Sequence, residues 1–308
     1  MKKILASGLM GIILLFFLDF AFCEVSVEEI KKMGVEEILG LLNHPNWGER
    51  AKAIYYGVPN FINDERIKLA LINLLEEENA LGEKWWEEWQ KEYERCRGDE
   101  TKMKIKFMNE VYGEGYGEYH IDLADTVIRL KDERAIQGIV GVVECGGVPV
   151  RAVVEFGELA VNPLLERLEK TKNYTARSSI IYTLNEIAKR TKQETLTTKE
   201  GTPTTRYRSA TPSQLELMRA AFVKSLNDSN PFSRRESIRG LDILEDTSAI
   251  HLLKQIAKND PYCKLGTVDP VTKAPRKGYY PVRDEAKRVL KLLKEKKKQE
   301  KKKKEVKQ

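Results

Sequence analysis

Three stretches of this chain start alike. Residues 63–72 read NDERIKLALI, residues 131–140 read KDERAIQGIV and residues 245–254 read EDTSAIHLLK. Each opens on an aspartate suited to capping a helix, continues with polar or acidic residues, and then places apolar residues at helical spacing. A short helix with one apolar face cannot bury that face alone. A chain that rewrites the same start signal must therefore stack similar helices against one another, so that neighbours share a continuous core.

The unit around the second stretch is a helical hairpin. Asp132 is the candidate N-cap, and Ala135, Ile136, Ile139, Val140 and Val143 form the apolar face. Gly146 and Gly147 end that helix, and VPVRAVVEFGELA supplies a second one with Val150, Val153, Val154, Phe156 and Leu159. The next helix is predicted to start at NPLLERL, with Asn162 as cap and Pro163 at the first helical position. It pairs with TARSSIIYTLNEIA, whose face is Ile180, Ile181, Leu184, Ile187 and Ala188. The stretches VEEILGLLNHPNWGERAKAIYYG and LELMRAAFVKSLNDSNPFSRRESIRGLDIL are two further copies. An arginine opens the second helix each time: Arg50, Arg151, Arg177, Arg234 and Arg283. From there a guanidinium can reach a neighbouring carboxylate or the carbonyls that end the preceding helix. Three residues on stand Ala53, Val154, Ile180, Ser237 and Ala286. Asp64, in the first of the three stretches, is the cap that corresponds to Asp132.

DERAIQGIVGVVECGGVPVRAVVEFGELAVNPLLERL resembles HEAT repeats, especially the short bacterial kind also found in phycobilisome-lyase-type repeat proteins. That family's pattern is an Asp-x-Arg-Ala-Ile start followed by a Val-Arg-x-x-Ala second helix. DTSAI departs from it by lacking the arginine, and VRAVV by carrying valine for the preferred alanine. The resemblance spans most of residues 34–293 and implies an all-α, armadillo-like fold: a right-handed α-solenoid of about six helical hairpins. By the same resemblance, such arrays hold proteins or peptides on a long concave surface, although some HEAT-like proteins are bilin lyases or DNA glycosylases.

Three insertions are predicted to break the period, at residues 79–116, 192–212 and 260–281. Long loops of this kind often carry function. The first contains EKWWEEWQKEYERCR, where Trp85, Trp86, Trp89 and Tyr93 fall on one side of a helix and glutamates largely on the other. Such a stripe either packs its helix onto the array or offers an aromatic platform to a partner, peptide or sugar. Lys277, Tyr279 and Tyr280 in the third insertion complete the candidate partner-binding set. The first and third insertions fall within hairpins and are expected on one edge of the array, with residues 192–212 on the other.

The ends of the chain are different in kind. Residues 1–23 have Lys2 and Lys3, an apolar run and small residues Ala21 and Cys23, the plan of a secretory signal peptide. The protein is therefore expected outside the cytoplasm, periplasmic or extracellular. The alternative is a membrane anchor, through an uncleaved segment or a lipidated Cys23; Asp19 counts against the first, and bulky Phe22 against the second. Residues 24–293 form the body. Residues 294–308 hold nine Lys and three Glu, which accounts for the whole net charge of +6. This tail is expected to be solvated and disordered, with at most weak contact to an acidic surface. The body is left near neutrality, which argues against a nucleic-acid partner.

No motif calls for chemistry. His44, His120 and His251 form no His-Glu pair or H-E-x-x-H, so no metal or cofactor is expected. YGEGYGEY lacks the strand and the Lys-Ser/Thr of a phosphate loop and reads as a turn. Cys145 reads as a buried helical thiol. Cys96 and Cys263, both beside insertions, are the one candidate disulfide pair. Asn173 and Asn227, each in a glycosylation-type triplet, read as caps. The expectation is an exported scaffold for a protein or peptide partner, without catalytic residues. The alternatives are an enzyme of the HEAT-like lyase type and an envelope-surface binder acting through its basic tail.

Overall fold

The structure, a computed structural model, describes residues 25–96, 116–197, 209–264 and 278–305. It is all-α. No strand occurs among the described residues, only an isolated antiparallel bridge between Lys264 and Tyr279. The helices are α1 (Val27–Ile30), α2 (Val35–Leu42), α3 (Trp47–Lys52, prolonged by a π-helical turn at Ala53–Gly57), α4 (Val58–Phe61), α5 (Glu65–Arg95) and α6 (Tyr116–Leu130). They continue as α7 (Ile136–Val140), α8 (Gly147–Phe156), α9 (Glu158–Lys170), α10 (Tyr174–Thr197), α11 (Pro212–Ser225), α12 (Pro231–Ile243), α13 (Ile250–Asn259) and α14 (Pro281–Glu305).

The three repeated start signals cap as their chemistry requires. The Asp64 carboxylate accepts from the Arg66 N–H, Asp132 from the Arg134 N–H and Asp246 from the Ser248 N–H, each at 2.9 Å. Asp132 and Asp246 cap short 3-10 turns that lead into α7 and α13, whereas Asp64 caps α5 directly.

The helices pack in pairs: α2 on α3, α5 on α6, α7 on α8, α9 on α10, α11 on α12 and α13 on α14. First members also touch in sequence, α2 to α5 to α7 to α9 to α11, and second members likewise, α3 to α6 to α8 to α10 to α12 to α14. The predicted apolar faces lie in the resulting core. Ile139, Ile180, Ile181, Leu184 and Ile187 are fully buried, each contributing roughly 1.5–3 kcal/mol relative to exposure. Ala53, Ile180, Ser237 and Ala286, three residues beyond their arginines, are buried, and Val154 is partly buried.

The arginines do what their position allows, with one exception. Arg50 Nη1 donates to the carbonyls of His44 (2.7 Å) and Pro45 (3.1 Å), and its Nη2 to buried Glu78 (2.6 Å). Arg177 caps the Lys172 carbonyl (2.8 Å) and pairs with Asp228 (2.8 Å). Arg234 caps Asp228 (2.8 Å) and Ser229 (3.0 Å) and forks onto Asp260 (2.6 and 3.0 Å). Arg283 donates to the Asp260 carbonyl. Each thus holds the turn of its own hairpin, and Arg50, Arg177 and Arg234 also take a carboxylate from the next one. Arg151 is exposed: the neighbouring turn, Thr171, Lys172 and Asn173, offers it no carboxylate.

Several expectations are corrected. Residues 79–95 continue α5 without a break, so the expected insertion begins as an extension of that helix past its partner α6, and residues 97–115 of the segment lie outside the described part. α9 starts at Glu158 rather than after Asn162, with Pro163 inside it, because Gly157 turns the chain at φ +58°, a conformation that suits glycine. α10 reaches Thr197, and Thr211 caps α11, so residues 198–208 are what remains outside the description there. The basic tail is helical as far as Glu305, continuous with α14, and Lys296 pairs with Glu245 of the body. Residues 1–24, with Cys23, lie outside the described residues.

Candidate functional site

The aromatic face of α5 divides between support and exposure. Trp86 is buried and meets the edge of Tyr174 at the start of α10, with ring centroids 6.0 Å apart. One turn further on, Trp89 is half-buried and stacks on Tyr93, centroids 4.9 Å apart. Trp85 is half-buried and faces a cavity toward α6 and the turn before α8. Polar contacts fasten the same half of the helix. Glu83 accepts from Arg167 Nη2 (2.9 Å) and from the Thr171 hydroxyl (3.1 Å), and Lys172 pairs with Glu87 (3.3 Å). The long helix therefore extends beyond its own hairpin and braces the one formed by α9 and α10.

Tyr279 and Tyr280 are exposed, but neither joins these tryptophans in a ring contact or cavity. Two backbone hydrogen bonds between Lys264 and Tyr279 (2.9 and 3.0 Å) close the base of the third insertion. The Arg283 guanidinium lies 4.1 Å above the Tyr280 ring. Lys277 and the rest of residues 265–277 lie outside the described residues.

The structure brings together a set that the sequence reading missed. Tyr55, Ile121, Val148, Tyr182 and Phe232 are large apolar residues, each 39% to 57% exposed. They belong to successive second members of the hairpins: the α3 extension, α6, α8, α10 and α12. The links are physical. The Tyr55 hydroxyl bonds Asp122, beside Ile121. Ile121 and Val148 line one hollow of about 130 Å³. Val150, Arg151, Ser179, Tyr182, Phe232 and Glu236 line another of about 520 Å³. The result is an apolar ribbon along one row of helices, with Arg151 and Glu236 as its charged groups in the larger hollow. Burial raises the Glu236 carboxyl above its usual range. A signal was present in the sequence: Tyr55 and Tyr182 each stand five residues after a repeat arginine.

Groups that could do chemistry are occupied or dispersed. Buried Glu78 accepts from Arg50, from Tyr119 (3.0 Å) and from Tyr116. His120 Nε2 is 3.0 Å from Asn79 Oδ1, and burial lowers its pKa. His251 Nδ1 lies 3.0 Å from the Ser248 carbonyl. Cys145, expected buried, is exposed; Cys96 is buried, and all three described cysteines are free, so the Cys96–Cys263 bridge is not formed. Asn173 caps α10 through the Thr175 and Ala176 N–H groups, whereas the cap of α12 is Asn230 and not Asn227. Among the described residues no group of three His, Cys, Asp or Glu side chains could hold a metal ion, and no helix is long and apolar enough to cross a membrane.

Compared with family models, curated proteins and solved structures, the chain matches none.

Proposed function

We propose that this chain is an exported HEAT-type scaffold, a right-handed solenoid of six hairpins that binds a protein or peptide along the ribbon from Tyr55 to Phe232. The order of helix contacts supports the solenoid reading, since each hairpin touches its sequence neighbours. The observation that carries the binding reading is the ribbon. Isolated exposed apolar residues are ordinary, but here five stand on successive second-member helices, Ile121 and Val148 sharing one hollow and Tyr182 and Phe232 another. Its aromatic content suits interface anchoring.

The test is capture from an envelope extract by the purified mature chain and by its Tyr182→Ser/Phe232→Ser variant. Both side chains are exposed, so the variant keeps its far-UV circular dichroism and loses the partner. Equal capture by the two proteins overturns the reading. Export is tested separately: N-terminal sequencing of the protein from its source finds Glu24 or a close neighbour first, and intact Met1 on a cytoplasmic protein refutes it. A second reading rests on the exposed lysines of the α14 extension, which would hold an acidic surface. It requires binding that disappears when residues 294–308 are removed or salt is raised.

A further inference from the structure

A cavity of about 290 Å³ lies between α5, α6, the turn before α8 and the start of α10. Its aromatic walls are Trp85, Trp86 and Tyr116, and among the described residues the carboxylates lining it are Glu83 and Glu144. His120 also lines it, and burial lowers its pKa, which disfavours a positive charge there.

Both carboxylates are held from outside the cavity lining. Arg167 donates Nη1 to Glu144 Oε2 (2.8 Å) and Nη2 to Glu144 Oε1 and Glu83 Oε1 (2.9 Å each). One guanidinium against two carboxylates leaves one negative charge uncompensated. Arg167 is 13% exposed and holds the two carboxylates, Glu83 34% and Glu144 26% exposed, beside the cavity.

Glycines open the space. Gly82 lies within α5 and Gly117 near the start of α6, and a Cβ added to either would meet nothing within 4 Å. Packing does not demand glycine at these two positions, and glycine is a poorer helix former than alanine. Gly141, the third glycine of the lining, is different: its Cβ would fall 2.0 Å from Asn79 Nδ2, so packing requires it.

We infer that this cavity is a binding site for a compact organic cation, an alkylated or quaternary ammonium group. Aromatic faces attract such a cation through their quadrupoles, and the residual carboxylate charge adds Coulombic attraction. A bare metal ion would instead need several convergent ligands, and among the described residues no group of three His, Cys, Asp or Glu side chains converges to hold one. The cavity adjoins the ribbon's smaller hollow, sharing His120, Val142 and Cys145 with it, but none of Tyr55, Ile121, Val148, Tyr182 and Phe232 lines it, so the Tyr182→Ser/Phe232→Ser variant and the Trp85→Ala variant test the two sites independently.

The experiment is calorimetric titration of the full mature chain with choline, and with 3,3-dimethylbutan-1-ol as the neutral probe of the same shape. Choline binds saturably and about tenfold or more tightly than the neutral probe. Trp85→Ala weakens choline by about tenfold. Gly82→Leu, which places a side chain in the open space while improving helix propensity, abolishes binding and keeps the far-UV spectrum. Equal affinity for the two probes means an apolar hollow only and overturns the inference. Absence of choline binding does so too, as does full choline affinity in both Trp85→Ala and Gly82→Leu.

Discussion

Replacing Asp260 by alanine should unfold the C-terminal hairpins well before the rest of the chain. Asp260 is 3% exposed and its partner Arg234 10%. The carboxylate receives two of the four hydrogen bonds that Arg234 makes, and its Oδ1 also accepts the Tyr262 N–H at 3.0 Å. Asp260→Ala keeps the guanidinium in its buried turn with the two carbonyl contacts and no counter-charge. Stranding one partner of a buried pair costs about 3–5 kcal/mol. In a chain of this size each kcal/mol moves Tm by about 2–4 °C, so the melting transition should fall by roughly 6–20 °C. Because Arg234 and Asp260 tie the fifth hairpin to the sixth, hydrogen exchange should show lost protection concentrated in α13 and α14. The comparison is Glu36→Ala, which breaks an Arg66 pair with side chains 56% and 79% exposed and should leave the melting temperature nearly unchanged. Arg234→Met/Asp260→Leu, which removes both charges, should recover most of the loss. A melting temperature for Asp260→Ala equal to that of Glu36→Ala would refute the claim that these arginines hold the hairpins together.

Other outcomes follow from the same geometry. Trp86→Ala should cost about 3–5 kcal/mol, because its buried ring seats α5 on α10, while half-buried Trp89→Ala should cost clearly less; chemical denaturation separates the two. Gly82→Ala should raise stability by about 0.5–1 kcal/mol, since its Cβ enters open space, and thermal melting checks the sign. Asp132→Ala should cost about 1 kcal/mol through loss of the cap. The Arg134 side chain, first, and its N–H hold the Asp132 carboxyl down at about 2. A carboxylate depressed in the fold contributes stability above its unfolded pKa, about 4, and loses it as pH falls through the folded value. Asp132→Asn should therefore keep the cap but remove part of the stability slope below pH 4. Because Asp132 is near the surface, that slope is small. Deleting residues 294–308 should reduce helical signal yet shift Tm by less than about 2 °C, since Lys296 is the only described residue there that is not exposed.

What the sequence determined by itself is what short-range backbone chemistry decides. Asp64, Asp132 and Asp246 announce helix starts because a carboxylate two residues before a free N–H satisfies it whatever lies beyond. The apolar faces of α7 and α10 were legible for the same local reason, as were Arg50, Arg177 and Arg234, whose carbonyl partners lie five or six residues away. Tertiary structure decided where helices stop and which way mixed faces turn. α5 continues to Arg95 because Trp86, Glu83 and Glu87 find partners on the α9–α10 hairpin, some 85 residues further along the chain. Asn162-Pro163 looked like a helix start, but Gly157 had already turned the chain. Trp86 and Trp89 are alike in sequence, and only the position of Tyr174 makes one structural and leaves the other half-exposed. Tyr182 and Phe232 read as ordinary apolar residues until neighbouring hairpins fix the register of α10 and α12. Exposure belongs to the packed helices together and not to any single one, because a side chain is buried by what lies across from it, and that is set by residues far away in the chain.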